Sequence, residues 1–158
     1  ARAWLAERGA ACGPPVLLHP GAGSPRKCWP AARFAELAEA LRGDRRSVVL
    51  LRGPADEAPC DAVLAALPAG SRVPVARFGK LGMVGALLAQ CRAFVGNDSG
   101  VSHLAGAVGA PTVAVFGPTD PARWRPLGRH VAVAGGADGR WPHADAVRAA
   151  LERMPGVR

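Results

Sequence analysis

The chain has 158 residues, 49% of them hydrophobic, a size and composition that suit one domain with a single well-buried core. Its 20 Lys and Arg against 12 Asp and Glu give a net charge of +8, so the surface attracts anions, yet four Phe, four Trp and no Tyr supply few platforms for stacking nucleic-acid bases. Cys12, Cys28, Cys60 and Cys91 form no C-x-x-C pair, which argues against a zinc site or a disulfide framework and for reduced thiols.

No segment reaches the roughly 18 consecutive apolar residues of a membrane span. The opening "ARAWLAERGAACGPP" lacks the apolar stretch of a signal peptide, so residues 1–15 read as a linker or frayed helix and the protein as cytoplasmic. From residue 16 to 158 short apolar runs alternate with segments of helical period. "VLLHP" (16–20) reads as a buried strand. The loop "GAGSPRKC" leads to a helix over "WPAARFAELAEALR", with Pro30 in its first turn, Phe34, Leu37, Ala38 and Leu41 on one face, and Gly43 as its stop.

"SVVLLRG" (47–53) predicts a second strand, "PADEAPC" a loop, and "DAVLAALP" a helix closed by Pro68. "RVPVARF" (72–78) reads as an edge strand because of Pro74. A helix over 80–91, a fourth strand "AFVGN" (93–97), a helix from Ser99 or Gly100 to about Val108, and a fifth strand "TVAVFG" (112–117) follow. "PTDPARWRPLG" reads as a loop, "HVAVAG" (130–135) as a sixth strand, and Pro142 to Met154 as the last helix. Fully apolar strands alternating with helices predict a doubly wound α/β fold of Rossmann type, with a parallel sheet covered on both faces.

In such sheets ligands bind beyond the carboxyl ends of the strands. "GNDSG" (96–100) ends the fourth strand and opens a helix, whose first N–H groups make a phosphate-sized anion site with no side chain at Gly100 to obstruct it. Asp98 or Ser99 is expected to cap that helix, and His103 falls on the same face one turn later. A plain turn with an N-cap and a satisfied histidine is the competing reading. "HPGAGSPRKCWP" (19–30) is a second glycine-rich loop whose Lys27 can carry charge to a phosphate, but it has neither the P-loop nor the G-x-G-x-x-G spacing. Asp56 and Glu57 in "RGPADE" are acceptors suited to ribose hydroxyls. Thr119 and Asp120 are expected to cap or turn.

Taken together, "LLHPGAGSPRKCWP", "LLRGPADE" and above all "NDSGVSHLAGAVGAPTVAVFGPTDP" resemble the carboxyl-terminal half of glycosyltransferase family 9, the lipopolysaccharide heptosyltransferases, from about Val16 to Gly128. The resemblance implies the GT-B architecture, two Rossmann-like domains around a cleft, of which this sequence is the sugar-nucleotide domain, an excised piece. The acceptor-binding surface and the catalytic aspartate would belong to an amino-terminal domain without counterpart here.

The resemblance also implies an ADP-sugar donor, inverting transfer of a heptose or related sugar to a lipid-linked saccharide acceptor, no metal and no nucleic acid. On that pattern Lys27 contacts the diphosphate and stabilises the leaving charge, with Gly23 and Ser24 lining the same pocket. Asp98 contacts the donor sugar, Ser99 and Gly100 lie under the diphosphate, and His103 stands near it. Asp56, with Glu57 as the alternative, meets the ribose, and Leu81 packs on the adenine. "GPTDPARW" becomes a loop facing the cleft. Attachment to the inner face of the inner membrane is a further expectation. The alternative function is a non-catalytic module that binds anions or nucleic acid through its basic surface.

Overall fold

A computed structural model describes residues 13–77, 79–136 and 138–157. The expected linker or frayed helix therefore falls almost wholly outside the described residues, as does Cys12. The strands are β1 (Val16–His19), β2 (Val48–Arg52), β3 (Val75–Arg77), β4 (Ala93–Asn97), β5 (Thr112–Phe116) and β6 (Val131–Gly135). They form one sheet in the order β3-β2-β1-β4-β5-β6, and every pairing is parallel. Leu18 lies opposite Leu50 on one side and Val95 on the other, and Val95 in turn opposite Val113.

Among the described residues six helices cover the sheet: α1 (Ala31–Gly43), α2 (Glu57–Ala66), α3 (Leu81–Leu88), α4 (Gly100–Ala107), the short α5 (Pro121–Trp124) and α6 (Ala144–Glu152), together with a 3-10 turn at Pro25–Lys27. Because successive strand side chains point to opposite faces, the apolar strands feed two cores. Val16, Leu18, Leu50, Val95 and Val113 pack with Phe34, Leu37 and Leu41 of α1 and Val147 and Leu151 of α6. Leu17, Val49, Leu51 and Phe94 pack with Val84, Leu87 and Leu88 of α3 and Ala105 of α4.

Two loops prove to contain helix. The "PADEAPC" loop is largely helix, since α2 starts at Glu57; Pro59 is tolerated because the first helical N–H groups need no intrahelical acceptor. α1 ends at Gly43, as expected. The chain leaves through Arg45 at φ 59°, with Arg46 N–H returning to Leu41 O at 3.0 Å, a left-handed exit that closes the last turn. Within "PTDPARWRPLG", Asp120 accepts from Ala122 N–H at 2.8 Å and so caps α5, as its residue type suggested.

The strand order fixes where a ligand can lie. From β1 the chain winds outward to β2 and β3, then returns to pair β4 against the other side of β1 and winds the opposite way. The loops after β1 and β4 therefore part at the switch point of the sheet, leaving a crevice at their carboxyl ends.

Candidate functional site

The crevice is built on Asn97, the last residue of β4 and fully buried. Its Oδ1 accepts from Trp29 N–H at 2.9 Å, while its Nδ2 donates to Pro20 O at 2.8 Å and Gly21 O at 3.2 Å. One side chain thus ties both ends of the glycine-rich loop after β1 to the end of β4. Trp29 anchors the far end of that loop, with its ring edge-on to Phe34 and its Nε1–H donating to Pro142 O at 2.9 Å.

Held in this way, the 3-10 turn at Pro25–Lys27 presents Lys27 to the crevice, and its Nζ lies 2.8 Å from Asp98 Oδ2. Asp98 is buried while the Lys27 side chain is about a third exposed, so the ammonium can reach a ligand while the carboxylate stays fixed. The expectation that Asp98 or Ser99 caps α4 is not met. Ser99 occupies the N-cap position, but its hydroxyl accepts from no helix N–H; it lies 3.3 Å from the Ser102 Oγ, and Asp98 turns to Lys27. Ser102 in turn donates to Asn97 O at 2.5 Å. The N-terminus of α4 is therefore left without a side-chain cap beside Lys27. Apart from the adjoining residues and, at Gly100, the helix's own backbone, no atom lies within 4 Å of where a Cβ of Gly100 or Gly23 would stand, so there is room at both. His103 is exposed one turn along α4 and Ser24 is half-buried.

After β2 the two acidic residues have separate fates. Asp56 Oδ2 accepts from Gly53 N–H and pairs with the buried His19 Nε2, each at 2.9 Å. Gly21 passes so close that a Cβ there would lie 1.8 Å from Asp56 Oδ1. Hydrogen bonding from His19 holds the Asp56 carboxyl below its ordinary range despite burial, with further help from the charge of His19 and the Gly53 N–H. Asp56 is thereby committed to the interior, joining the ends of β1 and β2. Glu57 is 76% exposed and pairs with Arg52 at 3.0 Å. A cavity of about 200 Å³ between the ends of β2 and β3 is lined by Gly53, Pro54, Glu57, Arg77 and Gly79. Leu81, 70% exposed, opens α3 two residues beyond Gly79.

A larger apolar cavity of about 630 Å³ lies between the β1 loop and α2, lined by Gly23, Ser24, Pro25, Cys28, Trp29, Ala58 and Val63 among others; neither Lys27 nor Asp98 lines it. Cys28, Cys60 and Cys91 are free thiols, and burial pushes Cys60 and Cys91 up to about 12, which keeps them protonated. Lys27, Asp98, Ser99 and Gly100 thus meet at the crevice, with His103 exposed one turn along α4. Gly23 and Ser24, on the same loop as Lys27, line the apolar cavity, and Leu81 opens α3 beyond the small cavity that Glu57 lines. The sequence reading missed the inward roles of His19, Trp29 and Asn97. Only the placement of His19 and Asn97 as the last residues of apolar strands could have signalled that their side chains point inward.

Residues 5–152 match the family model described as glycosyltransferase family 9 (heptosyltransferase). The chain is 39% identical over 118 residues to lipooligosaccharide heptosyltransferase 2 of Haemophilus influenzae, an alignment covering 72% of this chain and 34% of that protein. It thus spans about a third of that relative's length. The structure of the Escherichia coli ADP-heptose heptosyltransferase II superposes with a TM-score of 0.78 at 28% identity, over 96% of this chain and 51% of that one. An Escherichia coli heptosyltransferase solved with ADP gives a TM-score of 0.75 at 26% identity, over 96% and 47%.

Proposed function

The chain belongs to glycosyltransferase family 9, and from that premise we propose that it is the donor-binding half of a heptosyltransferase-like enzyme, taking an ADP-sugar across its strand ends. The observation that carries the proposal is the Lys27–Asp98 pair beside the uncapped N-terminus of α4, at the point where the winding of the sheet reverses. The similarity to a heptosyltransferase solved with ADP supports the choice of nucleotide.

In this reading the donor follows the strand order. Adenine lies on Leu81 beside the small cavity at β3, and the ribose hydroxyls meet Glu57, the exposed acid, with Asp56 holding the loop behind it. The diphosphate rests between Lys27, with Gly23 and Ser24, and the N–H groups of Ser99 and Gly100, with His103 alongside. Asp98 receives a sugar hydroxyl. As the bond from the sugar to the diphosphate breaks, negative charge grows on the bridging oxygen. Lys27 and the positive end of α4 stand where that charge develops and lower the barrier by stabilising it. No metal has a role in this scheme, so a chelator is expected to leave nucleotide binding unchanged.

The rest of the reaction belongs to a second, amino-terminal half. That half supplies the base and the surface for a lipid-linked saccharide of the lipopolysaccharide core, and transfer of a heptose or related sugar inverts the anomeric carbon. No helix among the described residues is long and apolar enough to cross a membrane. The +8 charge suits attachment to anionic lipid at the cytoplasmic face.

The site is tested by following backbone amide NMR signals during titration with ADP. Shifts concentrated at Lys27, Glu57, Leu81 and residues 98–103 support the proposal, and shifts centred on Ala58, Ala62 and Val63, the α2 side of the apolar cavity, overturn it.

A further inference from the structure

Trp124 closes α5, the helix that follows β5, and its side chain is 46% exposed although tryptophan is among the largest apolar surfaces a protein can bury. Two cations hold it in place. Lys27 Nζ lies 5.7 Å from the centre of the indole ring and Arg123 Cζ 5.1 Å, both within reach of the negative face of the π system. Lys27 is therefore close to both Asp98 and Trp124.

The order of the strands gives this placement a meaning. Base, ribose and diphosphate, as proposed above, occupy the ends of β3, β2 and the β1/β4 crevice in turn. The next loop in the same direction is the one after β5, where Trp124 stands. A pyranose esterified to a phosphate held by Lys27 would come next to the indole ring. Such a sugar has one face of C–H groups and a rim of hydroxyls, so it stacks on an aromatic ring while its hydroxyls reach Asp98 and Arg123.

We propose that Trp124 is the platform for the transferred sugar of the donor, a specificity-determining residue distinct from the groups that hold the nucleotide. The inference rests on the donor-binding reading and adds to it the element that distinguishes a sugar nucleotide from a bare nucleotide. Arg123 and Lys27 fix the ring in place, and the exposed part of the ring contacts the sugar.

The test compares ADP and ADP-heptose by calorimetric titration of this chain, its Trp124→Ala and Trp124→Phe variants, and Lys27→Ala. Because Trp124 is half exposed, both tryptophan variants are expected to fold, which circular dichroism checks. The wild-type chain is expected to bind ADP-heptose more tightly than ADP. Trp124→Ala should lose about five- to tenfold in ADP-heptose affinity, the scale of one aromatic stacking contact, with ADP affinity unchanged, and Trp124→Phe should recover part of the loss.

If Trp124→Ala weakens both ligands equally, with no further effect in a Lys27→Ala background, the indole serves only to hold Lys27 and the sugar platform is overturned. An unchanged ADP-heptose affinity overturns it as well. Failure of the wild-type chain to bind ADP would instead refute the donor-binding reading, and this inference with it.

Discussion

Trp29 and Asn97, 68 positions apart in sequence, are joined by a 2.9 Å hydrogen bond from the backbone N–H of one to the side-chain oxygen of the other. That bond and the two from Asn97 Nδ2 to Pro20 and Gly21 O fix the loop carrying Lys27 against the strand end carrying Asp98. Removing the amide leaves buried backbone groups without partners. Asn97→Ala is expected to lower stability by about 2–4 kcal/mol in urea unfolding. Asn97→Asp should be no milder, because it sets a carboxylate oxygen against the Pro20 and Gly21 carbonyls. An Asn97→Ala variant as stable as wild type would show that the loop is held by other means.

The two neighbouring acids after β2 are expected to separate stability from binding. Glu57→Ala should weaken ADP severalfold without moving the urea midpoint, because its side chain is solvent-exposed and, among the described residues, paired only with Arg52. Asp56→Ala should lower the midpoint, since it leaves His19 and Gly53 N–H without their acceptor inside the fold. Isothermal titration and urea unfolding on the same two variants decide the assignment.

Asp56 also gives a pH dependence of defined sign. Its carboxyl ionises below the ordinary value of 3.8 in the fold, chiefly through the His19 hydrogen bond. The stabilisation is therefore complete above about pH 4 and is lost as pH falls from there through the folded value. Stability measured from pH 5 downward should decline in the wild-type chain and decline less steeply in Asp56→Asn. Parallel curves would contradict the account.

The small residues of "HLAGAVGAP" answer to packing. Gly106 of α4 lies under the chain at residues 127–128, where an added Cβ would come 2.5 Å from Leu127 O, and a Cβ on Gly128 would come 2.6 Å from Gly106 O. Backbone cannot yield as a flexible side chain can. Gly106→Ala is expected to cost about 1–3 kcal/mol in thermal or urea unfolding, whereas Gly109→Ala, in open space at φ 81°, should cost less and only through backbone strain.

Much of this architecture was legible in the sequence because continuous apolar strands and helical periods are local signals. "VVLLR" and "TVAVF" could only be buried strands, and "GNDSG" and "HPGAGSPRK" fell at strand ends, where a doubly wound sheet binds ligands. Features that depend on distant partners were not legible. Asp56 looked like a solvent-facing acceptor until His19, 37 positions earlier, claimed it. Ser99 looked like a cap until Ser102 and the Lys27–Asp98 pair took the groups that would have capped α4. Trp124 read as part of a loop, since nothing near it in sequence indicates that Lys27 reaches its ring.

The most direct test of the central claim is calorimetric titration of the wild-type chain and Lys27→Ala with ADP, UDP and GDP at low and moderate salt. The account predicts saturable binding that favours ADP, persists at moderate salt, and falls at least about tenfold in Lys27→Ala, the loss expected for a charge-assisted phosphate contact. Equal binding of all three nucleotides with a steep salt dependence, or binding indifferent to Lys27, would contradict a donor site and leave a basic anion-binding module on the same fold.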